Sequence, residues 1–255
     1  MRHIILFLLS FLIAITASAK CTNSGIYCLN KSPTLNKNGL IILEFYASSQ
    51  SLVPELNKKY PIFMKSHSNK VQLNIIEMLK GEMGLTQVVL KPGSDLIENE
   101  MYSVEIDSLP NYEGILGRYN NSTNKWEQLT FKINNSIDNA APILNNSPAV
   151  QKKTLVYYGC GPASWVYFNI TGEDQSELFV RTSVKNIKTG DVTTYILSIE
   201  NDLVKVGHEM CSGAFLFEND DEYEVVFQLF DQSGNKSTST NPIPFTKPAN
   251  RTDDE

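Results

Sequence analysis

Short apolar runs alternate with polar breaks along most of the chain. "LIILEFYAS" (40–48) and "YPIFMKS" (60–66) are strongly apolar, and "KVQLNIIEML" (70–79) opens with Val71, Leu73 and Ile75 in period two. "TQVVLKPGSDLIENEMYSVEI" (86–106) reads as strand, Pro-Gly turn, loop and strand, and "KWEQLTFKI" (125–133) alternates less cleanly. The second half repeats the pattern at "TLVYY" (154–158), "WVYFNIT" (165–171), "ELFVRTSVKN" (177–186), "VTTYILSI" (192–199), "GAFLF" (213–217) and "YEVVFQLFD" (223–231), with a last strand in "KSTSTNPIPFT". Short segments at this spacing, separated by turn residues, predict an all-β protein built from sandwiches or small barrels. "VQLNIIEMLKGEMG" has the length of a helix, but its Val/Ile content and its glycines favour a strand.

The first twenty residues break the pattern. Arg2 precedes an apolar run from Ile4 to Ile15, and Ala17-Ser18-Ala19 supplies small residues for cleavage. This reads as a secretory signal peptide cut after Ala19. The run is too short for the roughly 20 residues of a spanning helix, so no membrane span is expected. Lys20 stands before Cys21 where a lipidation box wants a small residue, which disfavours a lipoprotein. Removing 19 of the 255 residues leaves 236, enough for two domains, and loss of Arg2 moves the net charge from −6 to −7. An acidic chain without clustered Lys/Arg argues against nucleic-acid binding. The expected division is a signal peptide (1–19), a cysteine-bearing segment (20–32), a first β domain (33–133), a linker (134–150), a second β domain (151–247) and a polar, disordered tail (248–255). The linker is marked by "NNSIDNAAPILNNSPAV", rich in Asn and Pro.

Two stretches carry a family resemblance. "EYEVVFQLFDQSGNKS" resembles the closing strands of bacterial immunoglobulin-like and fibronectin-type-III-like modules, and "LTQVVLKPGSDLIENEMYSVEI" resembles their late strands over a quarter of the first domain. The resemblance implies two tandem Ig-like β-sandwiches, with Tyr223 as a tyrosine-corner residue at the start of the penultimate strand. The 134–150 stretch is similar to the joint between tandem Ig-like or cadherin-like repeats.

Chemistry is sparse. His208 and Cys211 in "VGHEMCSGAF" raise a thiol site, a zinc site or a disulfide. Catalytic Cys–His pairs are normally distant in sequence, and no CxxC or HxxxH spacing supports zinc. An even cysteine count in an oxidising compartment favours Cys160–Cys211, 51 positions apart, a loop whose closure removes unfolded-state entropy worth about 4 kcal/mol. Cys21 and Cys28 pair locally in the default reading; the alternative ties each to the domain body. Acidic turns (Asp138, Glu173, Asp174, Glu218, Asp220, Asp221, Asp231) raise calcium, although no paired ligand motif or EF-hand loop occurs. Most aromatics alternate within strands, which places them in the core. No catalytic residue, cofactor or metal ligand is assigned. The expected function is a secreted, non-enzymatic binding, adhesion or assembly module contacting a protein or glycan at a cell surface or in the periplasm. The alternatives are a small secreted hydrolase, or its accessory domain, and a calcium-dependent adhesin. Expected contact loops are "NYEGILGRY" (111–119), through Tyr112, Ile115 and Leu116, and "LVKVGHE" (203–209), through His208.

Overall fold

The computed structural model describes residues 24–109, 116–120, 123–218 and 221–248, and within them the chain is all-β. The N-terminal unit runs through β1 (Gly25–Cys28), β2 (Thr34–Leu35), β3 (Ile41–Tyr46), a 3₁₀ segment (Ala47–Glu55), β4 (Ile62–Lys65), β5 (Lys70–Lys80), β6 (Leu85–Pro92), β7 (Met101–Ile106), β8 (Gly117–Asn120), β9 (Lys125–Gln128) and β10 (Thr130–Ile133). These strands join in the order β2-β10-β7-β4-β5-β6-β3-β1-β8-β9. β5 turns the corner. Its first three residues pair with β4, the remainder pairs with β6, and a bulge lies between Ile75 and Glu77. A bulge bends its strand and sharpens the twist, so the two halves of the sheet close over one core. That core holds Leu43, Phe45, Val88 and Leu90 from one half with Ile62, Tyr102, Val104 and Phe131 from the other.

The C-terminal unit comprises β11 (Ile143–Leu144), β12 (Val150–Tyr158), β13 (Gly161–Asn169), β14 (Gly172–Glu173), β15 (Leu178–Asn186), β16 (Val192–Ser198), β17 (Leu203–His208), β18 (Glu222–Asp231) and β19 (Ile243–Thr246). A three-stranded sheet, β12-β13-β17, faces a four-stranded one, β16-β15-β18-β19. Period two decides which side chains meet between them. Val166, Phe168, Val204 and Val206 point inward from the first sheet, and Val180, Val184, Val225, Phe227 and Leu229 from the second. Phe168 bridges the layers edge-on to Phe227 and Phe245. This is a β-sandwich. Tyr223 lies at the start of the penultimate strand, and its hydroxyl accepts the Glu218 N–H at 2.8 Å.

β3 and β6 are buried on both faces. Ile41 and Leu90, opposite one another, belong to the N-terminal core. Ile42 and Val89, the next pair, point the other way and join Leu40, Leu79 and Leu85 in the core of the C-terminal sandwich. Burial on both sides explains why 40–46 is nearly continuously apolar rather than alternating. Each of these side chains removed from water contributes about 1.5–3 kcal/mol, more than surface ion pairs supply. Two polar devices fix the register across this contact. Arg181 Nη1 and Nη2 donate to Glu77 Oε2 and Oε1 at 2.7 and 2.6 Å. The fully buried Gln87 donates to the Ile196 carbonyl (2.9 Å) and accepts its N–H (3.1 Å), completing the edge of β16 as a further strand would.

Several expectations change. "GAFLF" (213–217) is not a strand. It is buried through Ala214, Phe215 and Phe217, but its backbone bonds go to Glu82, Met83 and Gly207, so it is a plug between the units. "KWEQLTFKI" splits at Leu129 into β9 and β10, which pair with β8 and β7. "LVKVGHE" is β17 rather than a loop. Residues 25–28 form β1 inside the first sheet, paired with β3. The 134–150 segment is bonded to the N-terminal unit at its start, where Lys37 N–H donates to the Ser136 carbonyl (3.0 Å) and Asn38 Nδ2 to the Asp138 carbonyl (2.6 Å), and to the C-terminal unit from Ile143 on, where β11 pairs with β14.

Candidate functional site

The candidate site is a cleft of about 450 Å³ where the two units meet. One wall is the outer face of the three-stranded sheet. β13 has apolar residues on both faces, so while Val166 and Phe168 fill the sandwich, Trp165 and Tyr167 line the cleft. The placement of these aromatics in the core is thereby corrected. Opposite Trp165 lies Gly207, where a Cβ would stand 2.0 Å from the Ser164 carbonyl and 3.1 Å from the Trp165 ring. No side chain fits there, and only the flexible Lys205 side chain lies over the ring. Lys205 Nζ sits 4.4 Å from the Trp165 ring centre and 3.6 Å from Glu209 Oε1. Glu200 lines the rim and accepts from Lys31 Nζ at 2.6 Å.

The floor comes from the N-terminal unit. Glu44 and Tyr46 project from β3 on the face that turns toward the C-terminal unit, and Tyr195 reaches them from β16. Gln87 Nε2 and the Tyr46 hydroxyl each donate to the Glu44 carboxylate at 3.3 Å. These bonds are long and do not offset removal from water, so burial pushes the Glu44 carboxyl up to about 7. Tyr195 is 1% exposed, and its hydroxyl approaches Glu44 without an aligned hydrogen bond. Burial, then the nearby Glu44 charge, raise both phenols, Tyr46 and Tyr195, well above their ordinary value. A concave site with an aromatic wall, a few convergent polar groups and a displaced pKa has the character of a ligand pocket.

A second cluster lies at the joint. Carboxylate oxygens of Asp138 from the linker, Asp174 after β14 and Asp231 at the end of β18 lie within 4.8 Å of one another. Ser176 Oγ lies 2.9 Å from both Asp138 Oδ2 and Asp174 Oδ1, with one proton to share between them, and Asn235 donates twice to Asp231 at 2.8 Å. Burial pushes the Asp231 carboxyl up against those donors, and repulsion from Asp174 and Asp138 adds to it. Three carboxylates are half of the oxygen set a calcium ion takes. Of the other acidic turn residues, Glu173 accepts from Asn145, Asp221 accepts from Asn186 and Lys188, Glu218 is exposed, and Asp220 lies outside the described residues.

The remaining sequence-derived positions scatter. His208 is not an exposed loop residue: it is 3% exposed on β17, with Nδ1 2.8 Å from the Glu209 carbonyl. Leu116 is half-buried against the N-terminal core, while Tyr112 and Ile115 lie outside the described residues. Cys28 lies on β1, Cys160 at the β12–β13 hairpin tip and Cys211 just past β17; the tip packs beside that loop, since a Cβ on Gly161 would lie 3.5 Å from the Met210 carbonyl. Cys21, the cleavage region and the end of the tail lie outside the described residues. Among the described residues no helix is long and apolar enough to cross a membrane.

Fold and cleft together define an all-β, sandwich-containing protein with a pocket between its units. No protein-family model matches the chain, and no curated protein does. Solved structures with similarity include the pullulanase of Anoxybacillus sp. LM18-11 (8% identity, TM-score 0.25, 84% of this chain and 25% of that one). The FN1–FN3 domains of chicken CNTN1 (10%, 0.26, 88% and 68%) and the N-terminal part of the bacterial S-layer protein SbsC (10%, 0.25, 85% and 43%) are also similar. The chain spans about a quarter of the length of the pullulanases it matches. At these TM-scores the likenesses carry no argument, and the fold rests on the strand order above.

Proposed function

We propose that the chain is a secreted, non-enzymatic binding module that holds its ligand in the cleft between the two units. The observation that carries this reading is the cleft itself: Trp165 and Tyr167 on one side, and a buried polar floor of Glu44, Tyr46 and Tyr195 on the other. The Ig-like reading of the C-terminal unit is supported by its strand order. Leaving aside the two-residue β11 and β14, the first, second and fifth strands form one sheet, and the fourth, third, sixth and seventh the other. The Tyr223–Glu218 bond is of the kind that pins such a corner. Export to the periplasm or the cell surface is supported by the leader ending at Ala19, and mass spectrometry of the mature chain should give Lys20 as its first residue. The test of the reading is binding to cell-envelope fractions of the native host. Trp165→Ala and Tyr195→Phe, each shown to be folded by circular dichroism, should weaken binding at least tenfold. Wild-type binding by both variants would overturn it.

A second reading, calcium-dependent adhesion, is favoured by Asp138, Asp174 and Asp231. Calcium should raise the melting temperature, EDTA should reverse the rise, and Asp174→Asn should abolish the response. A melting temperature indifferent to both reagents would remove this reading.

A further inference from the structure

We propose that the cleft takes a neutral saccharide, with one sugar ring lying on the Trp165–Tyr167 wall and its hydroxyls turned to Tyr195 and Glu44. The proposal rests on the cleft being the binding site and names the chemical class of its ligand.

Four observations select that class. First, Tyr195 is buried with a hydroxyl that has no aligned partner. A buried polar group left unpaired costs about 1–3 kcal/mol, and a ligand hydroxyl, both donor and acceptor, removes that cost. Glu44, which the Tyr195 hydroxyl approaches and which Gln87 and Tyr46 reach only by long bonds, belongs to the same polar floor. Second, Trp165 and Tyr167 are two residues apart on one strand and share the outer face. Side by side they form an apolar platform, and the C–H face of a sugar ring is an apolar surface of matching shape. Lys205 now covers it, through a cation–π contact at 4.4 Å and an ion pair of 3.6 Å with Glu209. Partly exposed contacts of these kinds are worth about 1 kcal/mol or less, so the lysine can swing aside.

Third, the lining carboxylates Glu44, Glu200 and Glu209 face Lys205, with Lys31 paired to Glu200, so the cleft carries no excess positive charge to hold a phosphate, a uronate or an acidic peptide. Fourth, part of the strand edge beside the cleft is already taken. The N–H and carbonyl of Ile196, between the cleft residues Tyr195 and Leu197 on the edge strand β16, are bound by Gln87. Strand addition needs such groups free. The volume of about 450 Å³ falls within the usual range for small-ligand sites.

The test is fluorescence titration of the whole mature chain with maltotriose, cellotriose and triacetylchitotriose, with trigalacturonate as the acidic control. The chain has two tryptophans, so Trp126→Phe leaves Trp165 as the sole reporter. At least one neutral probe should give a saturable change while trigalacturonate gives none. Tyr195→Phe should weaken that probe at least fivefold, and Lys205→Ala should leave its affinity equal or higher. Lack of response to all three neutral probes, or a preference for trigalacturonate, overturns the saccharide assignment. Envelope binding then separates the two claims. If Trp165→Ala abolishes it, the cleft reading stands and only the ligand class falls; if Trp165→Ala leaves it intact, both fall.

Discussion

Glu44 gives the sharpest prediction. In the folded protein its carboxyl titrates near 7, against 4.5 for the ordinary group, because it lies between two β units. A raised carboxyl favours the folded state while protonated. Its contribution is fully present below the unfolded value, falls as pH rises from about 4.5, and is gone once pH has passed about 7. The displacement from 4.5 to about 7 corresponds to at most about 3 kcal/mol, an upper bound because the cleft admits some water. Glu44→Gln keeps the shape and the neutral state at every pH. Urea unfolding of both proteins should give nearly equal stabilities at pH 4. The variant should then gain progressively on the wild type, reaching a plateau of up to about 3 kcal/mol above pH 7.5. For a chain of this length that is a difference in melting temperature of roughly 6–12 °C at most. Other groups titrate in the same range, but they are common to both proteins and cancel in the difference. A difference that stays constant from pH 4 to pH 8.5 would show that Glu44 is not desolvated at this contact, and the cleft floor would need to be redrawn.

Three further outcomes follow from the contact between the units and from the cysteines. Gln87→Ala strips both bonds from the Ile196 backbone and should cost about 2–3 kcal/mol in urea unfolding; a loss under 0.5 kcal/mol would mean water replaces the amide. Arg181→Ala should cost about 1–2 kcal/mol, and the double variant with Glu77→Ala should cost less than the sum of the singles; strict additivity would refute the bidentate pair. Non-reducing peptide mapping should place Cys160 in a disulfide, with Cys211 on the sequence expectation; a Cys160–Cys21 peptide would move the staple to the N-terminal segment, and free thiol at Cys160 would remove it.

Much of the fold could be read from the chain because period two was clear where only one face is apolar. Tyr223, Val225, Phe227 and Leu229 mark the inward side of β18 without ambiguity. In the turn between β15 and β16, Gly190, at φ +81°, takes the left-handed position. Where both faces are covered, the signal fails. "WVYF" gives no basis for choosing which pair enters the sandwich, and Trp165 and Tyr167 went outward. "GAFLF" is as apolar as a core strand but is buried end-on between the units, and burial alone does not distinguish the two. The 3₁₀ segment at 47–55 buries Leu52 and Val53 within a serine-rich stretch that reads as loop. Glu44 had one visible signal, a lone carboxylate inside "IILEFY", but its meaning depends on Gln87 and Tyr195, which lie 43 and 151 positions further along. The acidic turns named both the joint cluster and its bystanders, and only the folded chain separates Asp138, Asp174 and Asp231 from the rest.

Tandem β modules are usually portable: either one can be excised, reshuffled or joined to another by its linker. The sharing of β3 and β6 between two cores denies this pair that freedom. Residues 24–133 expressed alone would present Leu40, Ile42, Leu79, Leu85 and Val89 to solvent, an adhesive face that invites self-association. The same sharing leaves no pivot between the halves. The opening between them is set when the chain folds, so a ligand held there, as proposed, would spend little on ordering the two units.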